Sequence, residues 1–481
     1  MKNYKIIYVL PAVFLLLLSG CSNPLEEETY ASLGPSNFYN TAEDAESLLN
    51  GVYANSQGYR DLLRDYLALG EMTTDILIER GGAINATTQP IEDFEFSPGH
   101  PYFQFLWTKY YSAIYRANVV IDKVPAINMD ESRKEQIVAE ARFLRALNYY
   151  LLYYRFGPVP LITTSETAVT DRPARAGKEE FFSFLETEFN EVAQILPATQ
   201  EQYGRATSGA ALGFLTKLYL NDKQWQNAAE TASEVINSGV YDLFTEDSRE
   251  KLFALENEGD NEFMFVVPYP DNPNSGSGNT YLSHAAPPGY KFKYPPKVNF
   301  AAQFKTRSEF LDLFDPEDER LNSFVFQYEN LAGNMVTLGQ DDVRSFKYPE
   351  DPNGVGDVSG NDYPLLRYAD ILLARAEALN ELNGPNQESI DLINQVREAA
   401  GVQPVSVGDF SGADDLRNFI FDERGREFFT ENLRRQDLIR QGTFIEKAKE
   451  RGKPASDYQV LFPIPQSEID KNPNLEQNPG Y

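Results

Sequence analysis

"LTKLYLNDKQWQNAAETASEVINS", residues 215–238, and "LLARAEALNELNGPNQESIDLINQVREAAG", residues 372–401, decide the fold. Each places a helix of small apolar residues before a short polar turn and an amphipathic helix after it. Leu218 and Ala229 in the first stretch stand as far apart as Leu379 and Ile390 in the second. This common spacing predicts tetratricopeptide-like helical hairpins, units that bury their apolar faces only by stacking on neighbours. The two copies are degenerate and separated by a long insertion, so an irregular scaffold is expected rather than a regular solenoid.

Helical periodicity extends in both directions. "TAEDAESLLNGVYANSQ" (41–57) offers Thr41 as N-cap, Asp44 three residues on, and Leu48, Leu49 and Val52 at helical spacing. Residues 105–124 and 132–157 read as a second helical pair. Residues 177–197 and 207–222 read as a third, and 225–239 follows with Gly239 as its stop. From Tyr241 to Pro364 the pattern changes. "NEFMFVVPYP" and "SFVFQYEN" read as strands, separated by the Gly-, Pro-, Asn- and Tyr-rich run 271–299. A loop that long is functional or disordered, and its aromatic rings argue for order. The predicted fold class is therefore mainly α. Degenerate helical hairpins form a scaffold, and an irregular, loop-rich lobe carries a few short strands. A single domain is expected over 41–481, with lobe insertions at about 70–104 and 241–364.

The N-terminus carries Lys2 and Lys5, an apolar run from Ile6 to Leu18, and then Leu18-Ser19-Gly20-Cys21. This has the form of an export signal. The run is too short to cross a bilayer, which takes about 20 apolar residues. Its ending resembles the lipobox of bacterial lipoproteins, whose cysteine is acylated and becomes the first mature residue. Residues 1–20 are then a signal peptide, Cys21 is the site of lipid attachment (palmitate among the expected acyl groups), and 21–40 form a tether containing Glu26-Glu27-Glu28. Cys21 is the chain's one cysteine. As an anchor, it leaves no thiol for a disulfide, a metal site or a nucleophile. The formal charge of −29 repels nucleic acid and anionic head groups, so neither is an expected partner.

Three C-terminal stretches carry a family resemblance: "RYADILLARAEALNELNG" (367–384) with "SIDLINQVREAAG" (389–401), "IFDERGREFFTENLRRQDLIRQG" (420–442), and "LFPIPQSEIDKNPNLEQNPGY" (461–481). In the N-terminal half "YYSAIYRANVVIDKV", "AEARFLRALNYY" and "GRATSGAALGFLTKLYL" follow in order. With the lipobox, this set resembles the SusD/RagB family of outer-membrane nutrient-binding lipoproteins over nearly the whole chain. The resemblance implies a non-enzymatic, cell-surface protein anchored in the outer membrane. It would capture an oligosaccharide and pass it to a TonB-dependent transporter of the SusC type. A RagB-like peptide carrier is the alternative cargo reading, and a glycoside hydrolase the alternative activity.

The chemistry-bearing residues favour binding. A glycosidase needs two carboxylates roughly 5–10 Å apart. The 72 acidic residues here are spread along amphipathic helices, where solvated faces account for them. No zinc spacing, Walker loop or Gly-x-Ser-x-Gly elbow occurs, and no metal or cofactor is expected. "DPNGVGDVSGND" (351–362) has the outline of a calcium loop, but Val355 stands where a ligand is needed. In 420–442 carboxylates alternate with arginines, so ion pairs are expected rather than an anion site: Glu423 with Arg426 or Glu427 with Arg424, and Asp437 with Arg440 or Arg434. The proline-rich C-terminal stretch is expected to run extended across the surface.

The resemblance puts the ligand site in two stretches, 70–103 and 276–294. Sugar recognition needs flat apolar faces and planar polar groups. Asp75 and Arg80 offer polar contacts, Tyr102, Tyr281, Tyr290 and Tyr294 offer faces, and His100 offers either. Trp107 and Trp225 sit among apolar residues at helical spacing and belong to the core.

Overall fold

Thr41 opens the first helix as its sequence requires: its Oγ1 accepts from the Asp44 amide at 3.2 Å, and Asp44 Oδ2 accepts from the Thr41 amide at 3.0 Å. The computed structural model describes residues 39–57, 62–79, 81–168, 170–270, 278–295, 297–300 and 303–481. The signal segment, Cys21, most of the tether and Arg80 lie outside them.

The helices named below are α1 (Ala42–Gln57), α2 (Leu62–Glu71), α3 (Pro101–Lys123), α4 (Glu131–Phe156), α5 (Lys178–Ile195), α6 (Ser208–Asn221), α7 (Trp225–Asn237), α8 (Tyr368–Asn383), α9 (Gln387–Ala399), α10 (Ala413–Phe428) and α11 (Arg434–Gln441). Eight short strands among the described residues complete the frame: β1 (Leu77–Ile78), β2 (Phe263–Val267), β3 (Lys305–Thr306), β4 (Phe324–Val325), β5 (Gln327–Glu329), β6 (Met335–Thr337), β7 (Arg344–Ser345) and β8 (Tyr363–Arg367). They pair antiparallel as β1–β3, β2–β8, β4–β7 and β5–β6. The fold is mainly α.

The two hairpins, α6–α7 and α8–α9, stack as their shared spacing predicts. Helix α7 packs on α8, and Leu220, Ala228, Ala229, Ala374 and Ala378 bury one another at the seam. Small side chains let the helix axes approach closely, which is why the alanines of both copies fall on this face. Lys217 on α6 bonds Asp370 on α8 at 2.5 Å. A second, continuous apolar core runs from Ala45 to Leu475 and contains Trp107. Trp225 packs at the edge of the seam.

Strands β2 and β8 clasp the ends of the loop-rich lobe, so residues 268–362 form one excursion from the scaffold. Gly213 on α6 faces this clasp, where an added Cβ would overlap the Leu366 side chain. Beneath it lies a buried ionic network. Arg367 bonds Glu262, Glu427 at 2.8 Å and Glu431 at 2.6 Å. Arg249 bonds Glu262 and Glu427, both at 2.5 Å. Arg320 bonds Glu423 at 2.7 Å and Glu427 at 3.1 Å. Removing one member of such a set strands its partners and costs about 3–5 kcal/mol.

Two expectations are corrected here, the Glu427–Arg424 pair and the extended surface course of the C-terminal stretch. Residues 420–442 fall in two helices: α10 ends at Phe428, Thr430 and Asn432 take left-handed φ of 60° and 65°, and α11 begins at Arg434. The break redirects the charges. Glu423 keeps Arg426 at 2.8 Å and Asp437 keeps Arg440 at 2.8 Å. Glu427, however, turns to the lobe arginines, and Arg424 turns to Asp370 and Asp437. The C-terminal stretch is also deeper than expected. Phe462 and Ile464 are buried, the Phe462 amide donates to Arg155 O at 2.7 Å, and a short helix, Gln466–Lys471, interrupts the extended chain.

Candidate ligand-binding site

Strand pairing sets the first predicted stretch against β3, which follows the second stretch in the chain. Leu77 stands opposite Thr306 and Ile78 opposite Lys305. Gly82, at a φ of 90°, abuts the Gln303 side chain. The loops around β1 and β3 thus share one edge of the lobe.

Four of the predicted residues turn inward. Asp75 forms a two-pronged pair with Arg434, Nε to Oδ1 at 2.9 Å and Nη2 to Oδ2 at 2.7 Å. Burial pushes its carboxyl up, but the guanidinium outweighs that and holds it below the usual range. His100 is the N-cap of α3. Its Nε2 donates to Thr87 O at 2.8 Å and its Nδ1 accepts from the Tyr102 amide at 3.3 Å, so the ring is neutral. Burial lowers its pKa, consistent with that state. Tyr102 is 5 % exposed, with the Arg64 guanidinium 5.9 Å from its ring centre. Tyr281 is fully buried, its ring 5.3 Å from Tyr348 and 5.7 Å from Phe304. None of the four leaves a ring face or carboxylate open to a sugar, because local packing has used each one.

Tyr290 and Tyr294 remain at the surface, half-buried and on one short run. "YKFKY", residues 290–294, alternates aromatic and cationic side chains. The run is pinned to the β5–β6 hairpin by the Leu331 amide on Gly289 O at 2.9 Å and the Lys291 amide on Glu329 O at 3.1 Å. Glu350 organises the aromatic side. Its carboxylate accepts from Tyr290 Oη at 3.2 Å, the Lys293 amide at 2.8 Å and the Tyr294 amide at 3.3 Å. The Tyr290 ring lies 5.1 Å from Phe292, 5.2 Å from Phe346 and 5.9 Å from Tyr328. Burial, then Glu350, pushes the Tyr290 hydroxyl up, keeping it a neutral donor. The Lys293 ammonium sits 4.8 Å from the centre of the Tyr294 ring. Phe326, Leu331 and Met335 are exposed on the adjoining hairpin.

Sequence reasoning missed Phe292 and Glu350. The two-residue alternation of 290–294 was a signal for Phe292. Glu350 lies 56 residues beyond Tyr294, and no local pattern marks it.

The 351–362 loop closes around a side chain. Lys297 Nζ donates to Asp351 O at 2.7 Å and Gly354 O at 2.6 Å. The Asp351 carboxylate accepts from the amides of Asn353 at 2.6 Å and Gly360 at 2.8 Å. An ammonium group thus bonds two backbone carbonyls at the start of this loop. Among the described residues, no group of His, Cys, Asp and Glu side chains is arranged to hold a metal ion.

A stacked-hairpin scaffold bearing an aromatic-rimmed lobe is the architecture of a binding protein. The comparisons agree on its kind. Residues 342–481 match the model of the SusD family, and residues 25–220 match one described as starch-binding and associating with the outer membrane. A SusD-like protein of Formosa agariphila is 29% identical, covering 100% of both chains. The starch-binding protein SusD of Bacteroides thetaiotaomicron is 25% identical over 82% of each chain. A solved laminarin-binding SusD-like protein superposes with a TM-score of 0.78 at 26% identity, covering 92% of this chain and 100% of that one. The chain belongs to the SusD/RagB family.

Proposed function

We propose that this protein is a cell-surface, glycan-binding lipoprotein that captures an oligosaccharide and passes it to a SusC-like, TonB-dependent transporter in the outer membrane. The observation that carries the binding reading is the surface run Tyr290-Lys291-Phe292-Lys293-Tyr294, held by Glu350 beside the exposed hairpin. Aromatic faces take the C–H side of a sugar ring, and the interleaved ammonium groups reach its hydroxyls. The similarity to a laminarin-binding protein and to the starch-binding protein SusD supports a glycan cargo. The family model's association with the outer membrane supports the location, and Cys21 supplies the anchor. Binding is the whole activity in this reading, with no catalytic step.

Within the site, Tyr290, Phe292 and Tyr294 supply the faces and Lys293 a polar contact. No tryptophan joins them, so affinity falls between about millimolar and micromolar, −4 to −8 kcal/mol. Titration calorimetry against soluble oligosaccharides, laminari-oligosaccharides among them, tests the assignment. A bound glycan whose affinity is unchanged in Tyr290→Ala, Phe292→Ala and Tyr294→Ala alike removes the site. Tight binding of peptides with no glycan bound moves the cargo to peptide. Co-purification of a large β-barrel protein in mild detergent tests the transporter, and loss of membrane attachment in Cys21→Ser tests the anchor.

A further inference from the structure

A second cavity system lies apart from that surface and shares no residue with it. A cleft is lined by residues of α2, α4, α6 and α11, by Arg424, Glu431 and Asn432, and by Phe462. Tyr66, Leu151 and Leu365 also line an adjoining cavity, together with Tyr110, Tyr269 and Tyr363. The Tyr110 and Tyr363 hydroxyls have no hydrogen-bond partner among the described residues.

The cations lining the cleft fall into two groups. Lys217, Arg424 and Arg440 are neutralised: Lys217 by Asp370 at 2.5 Å, Arg424 by Asp370 and Asp437 at 2.8 and 2.9 Å, and Arg440 by Glu377 and Asp437 at 2.6 and 2.8 Å. Arg155 and Arg435 have no carboxylate partner among the described residues. Arg155, 8 % exposed, donates to Leu151 O at 3.0 Å, and its guanidinium lies 4.3 Å from the centre of the Tyr66 ring. Arg435, 5 % exposed, rests 4.3 Å from Phe462 and 4.9 Å from Phe444, and makes one close bond, to Val460 O at 2.8 Å. Among the described residues its Nε has no acceptor, and both side-chain amide atoms of neighbouring Asn432 are unpaired. Burial, then Arg155, lowers the Arg435 pKa to about 9.

Buried guanidinium groups are almost always paired, because desolvating a lone one costs several kcal/mol. Ring faces and carbonyls offset only part of that cost. Two arginines without a carboxylate partner among the described residues, beside one cleft, are also contrary to the chain's overall charge of −29. The planar fork of an arginine matches the two oxygens of a carboxylate or sulfate. Arg435 Nε and Asn432 Nδ2 are donors with no acceptor among the described residues, and the Arg155 guanidinium lines the same cleft without a carboxylate beside it.

We propose that this cleft binds a small oxyanion, a sulfate or carboxylate group, through Arg155, Arg435 and Asn432. The group is either a free anion or the charged substituent of a sugar whose ring occupies the adjoining tyrosine-lined cavity.

The test is calorimetric titration and thermal melting of the intact mature chain with sodium sulfate, glucuronate, a sulfated monosaccharide and glucose, against sodium chloride at matched ionic strength. Saturable binding and a melting shift of several degrees are expected for at least one anion, with none for glucose. Response to inorganic sulfate identifies a free-anion site, and response to the charged sugars alone identifies a substituent site. Arg155→Gln/Arg435→Gln should weaken the response at least tenfold. No saturable response of the wild-type chain to any of the anions overturns the proposal, as does an undiminished response in the folded double variant. Where the double variant fails to fold, the wild-type titration alone decides.

Discussion

Arg434 grips both carboxylate oxygens of Asp75, at 2.7 and 2.9 Å, across 359 positions of sequence. The pair joins the segment after α2 to the start of α11, which makes Asp75 a fastener between the two ends of the chain. Asp75→Ala strands Arg434 in the interior and should cost about 3–5 kcal/mol in urea unfolding. Glycan affinity of the folded variant should be unchanged. A selective loss of binding at full stability would return Asp75 to the ligand site.

Tyr281 and Tyr294 should separate cleanly. Tyr281→Ala empties a fully buried position and is expected to destabilise by about 3–5 kcal/mol. Tyr294→Ala should lower stability by less than about 1 kcal/mol. It should also weaken glycan binding by about 0.5–1.5 kcal/mol, or roughly two- to tenfold. Unfolding curves and titrations of both variants check the pair.

Glu71 gives the chain a pH dependence of known sign. Burial raises its pKa from 4.5 to about 8, although the Asn432 amide bond to Oε1 at 2.6 Å works the other way. The folded state therefore holds a proton that the unfolded chain has already released. This group's contribution to stability falls as pH rises from about 5 to about 8, with a limiting slope near 1.4 kcal/mol per pH unit. Glu71→Gln keeps the acceptor and removes the slope. Relative to wild type, its stability should increase steadily over that range and level off above it. A constant difference between pH 5 and 8 would show that Glu71 is ionised throughout.

Glu423 acts in the opposite direction on the acid side. Burial opposes its ionisation, but Arg320, Arg426 and Arg397 hold its pKa down to about 2. Its contribution is complete above the unfolded value of 4.5 and is lost as pH falls from there toward 2. Glu423→Gln should flatten that acid limb while lowering stability at pH 7 by about 3–5 kcal/mol.

At Gly70 an added Cβ would overlap the Asn432 amide oxygen. Gly70→Ala should destabilise by about 1–3 kcal/mol. Asn432 has a left-handed φ of 65°, which glycine adopts without strain, so Asn432→Gly should restore much of that loss. Simple additivity in the double-mutant cycle would mean that the two residues do not compete for space.

The scaffold was legible because each helix carries its own periodicity and stops. Thr41, Gly239 and the matched spacing around Leu218 and Leu379 are local signals, and local geometry obeyed them. Stacking of α7 on α8 was legible for the same reason, since both seam faces are alanine-rich. The site was only partly legible. Tyr290 and Tyr294 look no different in sequence from Tyr281, yet 0 % of Tyr281 is exposed. What separates them is the closure of the lobe by β1–β3 and β4–β7, pairings of two residues each, too short to leave a pattern. The partners of Glu427 were hidden likewise, since they depend on a break at Thr430 and on arginines 60 to 178 positions away.

Lys297 gives the 351–362 loop a cation that cannot diffuse away. A loop shaped by bound calcium changes with the surrounding medium and opens when a chelator or an acidic polysaccharide competes for the ion. An ammonium group attached to the chain does not exchange with the medium, so its two bonds to the loop carbonyls form without any ion taken from solution.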